Sequence, residues 1–126
     1  MPRIADYAIV SGGSVTMTKP GGDIDKEFEF SLASNAHLAS RTIFGFIADP
    51  SNATNLKFRV LLNGSEIRSL ELDGGHFRGT VHEVVAANLL KKGSGSANVN
   101  KVKFELTSGS GTLHVSDVVV WFQADV

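Results

Sequence analysis

The chain contains no cysteine, and tryptophan and tyrosine occur once each among its 126 residues. Without cysteine, disulfides, thiolate metal sites and a thiol nucleophile are excluded, and the chain can fold in any redox compartment. The chain also has no marked excess of charge of one sign, since it has 12 Lys and Arg and 13 Asp and Glu and no block of like charges. This balance argues against nucleic-acid binding, which depends on neutralising phosphates.

Long apolar runs are absent as well. The N-terminal segment, MPRIADYAIVSGGSVTM, lacks the continuous apolar core of a secretory signal. No stretch approaches the ~20 apolar residues of a membrane-spanning helix. We therefore expect no membrane span, and the missing leader favours cytoplasmic synthesis. The length fits a single domain, residues 1–126, that buries roughly two-thirds of its unfolded surface around one core.

Strict alternation of apolar with charged or polar residues marks three segments. They read KEFEFSL at 26–32, LKFRVLL at 56–62 and KVKFELT at 101–107. Such a period of two is typical of antiparallel strands that are dry on one face and wet on the other. Thirteen glycines and the clusters SGG, PGG, ADPSNATN, DGG, KKGSGSAN and SGSG separate about eight or nine such segments. This punctuation predicts an all-β sandwich, jelly roll or barrel.

The pair Asn63-Gly64 predicts a tight hairpin, because a type I′ turn needs positive φ at both central residues. The apolar phase slips after it, which predicts a bulge near Arg68 and Ser69 or a strand that changes its partner.

The segment TVHEVVAANLLKKG supports two interpretations. We favour a strand through Val85 followed by one short helical turn over AANLL. The alternative is a full helix from Thr80 to Lys92, with Thr80 and Glu83 as a capping box.

The last apolar run, GTLHVSDVVVWFQ, is apolar on both faces after Asp117. It predicts a central strand that is covered on both faces, or one whose second face carries an exposed binding patch.

The C-terminal half, from Leu56 to Phe122, resembles the galactose-binding-like jelly roll that many carbohydrate-binding modules share. The residues that carry the resemblance are Asn63-Gly64, Leu89-Leu90, Gly93, Asn98-Val99 and Ser116-Asp117-Val118. The segment GSGSANVNK is longer than the usual turn of that pattern, and no calcium loop stands out near the N-terminus. The resemblance implies an antiparallel β-sandwich of jelly-roll topology with at most one short helical turn, but it carries over no binding residue.

Signatures of catalysis are missing. The four histidines form neither an H-x-H nor an HExxH pattern, so no metal site is predicted, and calcium is left open. Glycoside hydrolysis needs two carboxyl groups about 5 to 9 Å apart, and the sequence does not bring any two together. Asp117 is best interpreted as a carboxylate that accepts backbone N–H groups at a bulge or turn. We therefore predict that the chain is not an enzyme and needs no cofactor.

Carbohydrate binding requires aromatic faces for sugar C–H groups and planar polar groups for hydroxyls. Arg78 is the leading candidate, because the flanking glycines would let its guanidinium project into a groove. For Trp121 a core anchor is the commoner role, and for the arginines a solvated strand face. The candidate ligand-binding residues are Arg78, His76, His82, Arg41, Asn88 and Trp121.

Three functions remain, in this order. The first is a noncatalytic, lectin-like module with a glycan as its partner. The second is a structural protein that forms a homo-oligomer, for instance through a patch made by Val118, Val120 and Phe122. The third is a small polysaccharide-active enzyme.

Overall fold

The computed structural model describes residues 2–74 and 78–126. Within these residues the chain forms six strands, all paired antiparallel, and two single 3₁₀ turns. The same residues contain no helix long and apolar enough to span a membrane. The strands are β1 Arg3–Lys19, β2 Asp25–Phe30, β3 Thr42–Leu62, β4 Ser65–Gly74, β5 Gly79–Val85 and β6 Asn100–Asp125, and the 3₁₀ turns are Ala87–Leu89 and Ser96–Asn98.

The long antiparallel pair of β3 and β6 runs through two sheets. Residues 43–54 of β3 pair with 110–121 of β6, and residues 57–62 pair with 102–108. β5 flanks segment 43–54 and β1 flanks segment 110–121, which gives sheet I the order β1–β6–β3–β5. β4 flanks segment 57–62 and β2 flanks segment 102–108, which gives sheet II the order β2–β6–β3–β4.

Counting the two halves of β3 and β6 separately gives eight strand segments in the described residues. The predicted all-β antiparallel sandwich is confirmed, and this count agrees with the eight or nine segments expected. The two 3₁₀ turns are one more than the sequence predicted.

Glycine allows the β3–β6 pair to cross from one sheet to the other. Gly111 has φ +132°, and a Cβ there would lie 2.7 Å from the Cα of Ala53 on the opposite strand. Gly109 has φ +78°, and a Cβ there would clash with the backbone of Asn55, which itself has φ +49°. Such close contact excludes any side chain at these two positions.

Four phenylalanines join the sheets. Phe46 of sheet I meets Phe104 of sheet II at a ring-centroid distance of 5.0 Å and an interplanar angle of 79°, and it meets Phe58 at 6.1 Å and 77°. These edge-to-face contacts are the favoured geometry for aromatic pairs. Phe44 lies 6.2 Å from Phe104 and completes the group. The alternating apolar residues at 56–62 and 102–106 are buried around them, as the sequence predicted.

The predicted hairpin is confirmed, since Asn63 and Gly64 have φ values of +50° and +86° between the paired residues Leu62 and Ser65. The predicted bulge is confirmed too. Val60 pairs with Arg68 and Leu61 with Glu66, so Ile67 is the extra residue on β4.

The segment from Thr80 to Lys92 is a strand followed by a 3₁₀ turn, and the full-helix alternative is wrong. β5 pairs with β3 from Gly79 to Val85, and Val81 and Val85 are buried. Tertiary pairing along β3 outweighs the helical spacing of the valines.

The strand that the resemblance assigned to Asn98-Val99 begins at Asn100 instead, so that assignment is wrong. Asn100 is fully buried. Its Oδ1 accepts the backbone N–H of Lys91 at 2.8 Å and Nδ2 of Asn63 at 3.0 Å, and its Nδ2 donates to the Lys91 carbonyl at 2.8 Å. The side chain of Asn98 instead donates from Nδ2 to the nearby Ser94 carbonyl.

Candidate functional site

The outer face of sheet II is covered with ion pairs. Arg59 binds Glu105 at 2.7 Å, and Lys103 lies 3.5 Å from Glu105 and 3.7 Å from Asp25. The hydrogen bond from the Arg59 guanidinium lowers the pKa of Glu105 from its ordinary value of 4.5. Such a lattice of opposite charges is what a solvated strand face looks like.

This face does not support glycoside hydrolysis. Asp25 and Glu105 are direct cross-strand partners, but both carboxylates are held by Lys103. A general acid needs a raised pKa, whereas the pKa of Glu105 is lowered. Elsewhere in the described residues, no group of three His, Asp or Glu side chains is placed to bind a metal ion.

The outer face of sheet I is different, because large apolar side chains lie open to solvent across all four strands. One row consists of direct cross-strand partners. We call it the apolar row, and its members with their exposed fractions are Tyr7 (59%), Trp121 (39%), Ile43 (38%) and Val84 (60%). Ile9, Val119, Gly45 and His82 form the next row, and Ile9 is 62% exposed.

Gly45 makes room for two rings. It lies on β3 between β6 and β5, and the rings of Trp121 and His82 meet over it with centroids 5.5 Å apart at 61°. A Cβ at position 45 would lie 2.6 Å from Cζ3 of Trp121 and 2.9 Å from Cδ2 of His82. Beside the rings is a depression of about 290 Å³ lined by Ile43, His82 and Trp121.

A bulge at Asp117 decides that Trp121 points outward. Leu113 and Val115 face the core, so simple alternation would place Asp117 and Trp121 inside. Asp117 instead adopts φ +52° as an extra residue, since Val119 pairs with Gly45 while Ser116 pairs with Ile47. The phase therefore shifts by one residue.

Two expectations for this strand are wrong as a consequence. Val118, Val120 and Phe122 are buried and cannot form an exposed patch, and Trp121 is not a core anchor. The alternative in which the second face of the strand carries an exposed patch is the one observed. The bulge predicted at Asp117 is confirmed, but its side chain is exposed to solvent, and no hydrogen bond from a backbone N–H of the described residues to its carboxylate is found.

Beyond the bulge the same outer face becomes polar. Thr16 Oγ1 and His114 Nδ1 are 2.9 Å apart, and Arg78 lies 4.0 Å from Asp49. Asp49 is six residues along β3 from Ile43, which corresponds to roughly 20 Å at the usual strand rise. Arg78 is therefore far from the apolar row and is not part of the same cluster.

The structure thus brings together two of the predicted residues, His82 and Trp121. Arg41 is exposed two residues before Ile43, and Asn88 is exposed in the 3₁₀ turn after β5. His76 lies outside the described residues. Sequence reasoning missed Tyr7, Ile9, Ile43, Gly45 and Val84. No local motif marks these residues, because their place in the site depends on which face of each strand is the outer one.

A second depression, of about 380 Å³, lies between the loops at 31–34 and 93–94. Serines, Leu32, Ala33 and Gly93 line it, without an aromatic ring or a charged side chain. It offers neither stacking nor charge to a ligand, so the apolar row is the better candidate.

No family model matches the chain, and no curated protein matches it in sequence. Solved structures do match. Dimeric latent PorU from Porphyromonas gingivalis shares 12% identity at a TM-score of 0.61, and the match covers 98% of this chain and 13% of that one. A CBM4 carbohydrate-binding module shares 18% identity at 0.53, covering 93% and 75%. The C-terminal domain of EclA, a sugar-binding protein, shares 10% at 0.53, covering 95% and 79%.

At these identities the likeness shows the fold alone. The jelly-roll sandwich predicted from the C-terminal half is confirmed, and it extends over nearly the whole chain.

Proposed function

We propose that this chain is a noncatalytic carbohydrate-binding module that holds a glycan against the apolar row of sheet I. The observation that carries the proposal is the exposure of Tyr7 and Trp121 as direct cross-strand partners on a sheet face. Partners of this kind have Cβ atoms about 5 Å apart, so the two rings can stack on neighbouring C–H faces of one sugar chain. The fold shared with a carbohydrate-binding module and a sugar-binding domain supports the same function.

Polar groups for sugar hydroxyls lie at the edge of this row. Among the hydrogen bonds found in the described part of the chain, none involves the ring nitrogens of His82 or Nε1 of Trp121. Gln123 is the next outward residue after Trp121 and receives a hydrogen bond from Arg3 at 3.3 Å. A few polar groups around an apolar surface are the usual composition of a ligand site.

The area of the patch favours a glycan over a stable homo-oligomer. The apolar row and Ile9 expose between 38% and 62% of each side chain. With whole-residue surfaces of roughly 150–250 Å² each, this amounts to on the order of 500 Å². A stable protein interface needs about 800 Å² from each partner, whereas functional patches on monomers measure roughly 300–600 Å².

The test is a glycan array on the purified protein, with and without calcium, beside its mass in solution. Binding is then compared between Trp121→Ala and Arg78→Ala. We expect Trp121→Ala to lose binding at least tenfold and Arg78→Ala to retain it, because Arg78 lies roughly 20 Å away along the strand. Circular dichroism and thermal melting check that both variants fold.

Other results would change the conclusion. Binding that depends on Arg78 and not on Trp121 would move the site to the polar end of sheet I. A defined oligomer that binds no glycan would support the assembly function instead.

A further inference from the structure

The depression beside Trp121 has walls of carbon. The atoms of Trp121 nearest to Gly45 are Cζ3 and Cη2, which belong to the benzene edge of the indole and lie opposite Nε1. The atom of His82 nearest to Gly45 is Cδ2. Ile43 supplies the remaining wall. The exposed lining of the depression, supplied by Ile43, His82 and Trp121, is almost entirely apolar, so a group that enters it meets aliphatic and aromatic carbon.

This lining discriminates between the substituents of a sugar. A hydroxyl seated on carbon loses its hydrogen bonds to water and gains none, which is unfavourable. A methyl group at the same place buries apolar surface and stabilises the complex. The pyranose ring that carries the methyl group can still lie against Trp121, with its hydroxyls toward the ring nitrogens of His82.

We propose that the glycan bound by this face carries a methyl group, as a 6-deoxyhexose or an N-acetylhexosamine does, and that the methyl group occupies the depression between Ile43, His82 and Trp121. The volume of about 290 Å³ accommodates a methyl or acetamido group with part of its ring. This inference rests on the proposed function and specifies the ligand of the same site.

The experiment compares matched sugars that differ in the methyl-bearing group. The pairs are 6-deoxygalactose with galactose, 6-deoxymannose with mannose, each of the same handedness, and N-acetylglucosamine with glucose. Trp121 is the single tryptophan of the chain, so its intrinsic fluorescence reports changes in the surroundings of this site. We expect the methyl-bearing member of at least one pair to bind about fourfold more tightly or better, which is the factor for one buried methyl group.

The variant Ile43→Thr tests the wall of the depression directly. Threonine keeps the β-branched shape and adds a hydroxyl to the lining. We expect the preference for the methyl-bearing sugar to fall to within about twofold of unity. Ile24→Thr is the matched control, because Ile24 is also exposed, at 42%, but precedes β2 and does not line the depression. The preference should be unchanged in this control.

Each outcome is decisive. A preference in the deoxy pairs identifies a 6-deoxyhexose, and a preference in the acetylated pair identifies an N-acetylhexosamine. Equal affinity within all pairs, with binding that still requires Trp121, would overturn the inference and leave the proposed function intact. A preference that survives Ile43→Thr would place the methyl group elsewhere and overturn the inference too. If no sugar perturbs Trp121 and none binds in the array, both proposals fail.

Discussion

The indole of Trp121 and the imidazole of His82 meet edge to face across β3, with ring centroids 5.5 Å apart and planes at 61°. They come from β6 and β5, which do not pair with each other, and only the missing side chain of Gly45 lets the rings approach. An aromatic pair over a glycine on the inner strand β3 gives the sheet face a fixed feature for a ligand to contact.

Gly45→Ala tests this arrangement without removing either ring. The new Cβ would lie 2.6 Å from Trp121, so the indole must move. We expect glycan affinity to fall at least tenfold, the Trp121 fluorescence spectrum to shift, and the free energy of unfolding to fall by about 1–3 kcal/mol. Gly13→Ala is the matched control, since its Cβ would meet nothing within 4 Å. Affinity equal to that of the unsubstituted protein in Gly45→Ala would show that the ring pair is not the binding feature.

Thr42→Val should stabilise the protein. Thr42 is 1% exposed, and its hydroxyl has no hydrogen-bond partner among the described residues. Replacing an unsatisfied buried hydroxyl with a methyl group of similar size removes a desolvation penalty of about 1 kcal/mol. Urea denaturation measures the gain. The same change at the exposed Thr80 should alter stability by less than about 0.5 kcal/mol, and a loss of stability in Thr42→Val would mean that the hydroxyl has a partner.

Asn100→Ala should be strongly destabilising. The buried amide bonds both backbone groups of Lys91 and the side chain of Asn63, which ties the 90–100 loop to the hairpin turn. Its removal leaves buried backbone groups unpaired, at a cost of about 2–4 kcal/mol in the free energy of unfolding. Asn98→Ala, which removes one bond within a turn, should cost less than about 1 kcal/mol. Similar losses in the two variants would refute the special role of Asn100.

Glu105→Gln should weaken the fold in a pH-dependent way. Hydrogen bonding from Arg59 lowers the pKa of Glu105 in the folded state, so the carboxylate stabilises the fold above its ordinary pKa of 4.5. That contribution disappears as the pH falls through the folded-state pKa. We expect a loss of about 0.5–1 kcal/mol at pH 7 that shrinks below pH ~4, measured by denaturation across pH. Glu29→Gln serves as the control, and a loss independent of pH would contradict the assignment to charge.

Local patterns in the sequence were sufficient for the fold class. The alternation at 56–62 and 101–107 predicts which residues face the core, since successive side chains of a strand point to opposite faces. The Asn63-Gly64 turn could be predicted because its positive φ values restrict the residue types. His82 and Trp121 could be proposed individually as ligand-binding residues from their chemistry.

The tertiary structure alone decided which strand faces are open and which residues meet on them. The outward direction of Trp121 depends on the one-residue shift at Asp117, and an alternating sequence with both faces apolar does not reveal that shift. Tyr7 joins Trp121 only through the pairing of β1 with β6, near opposite ends of the chain. The sequence by itself determined the strands and their periodicity, because these depend on neighbouring residues. Register and sheet order determined the candidate site, because they depend on contacts between distant segments.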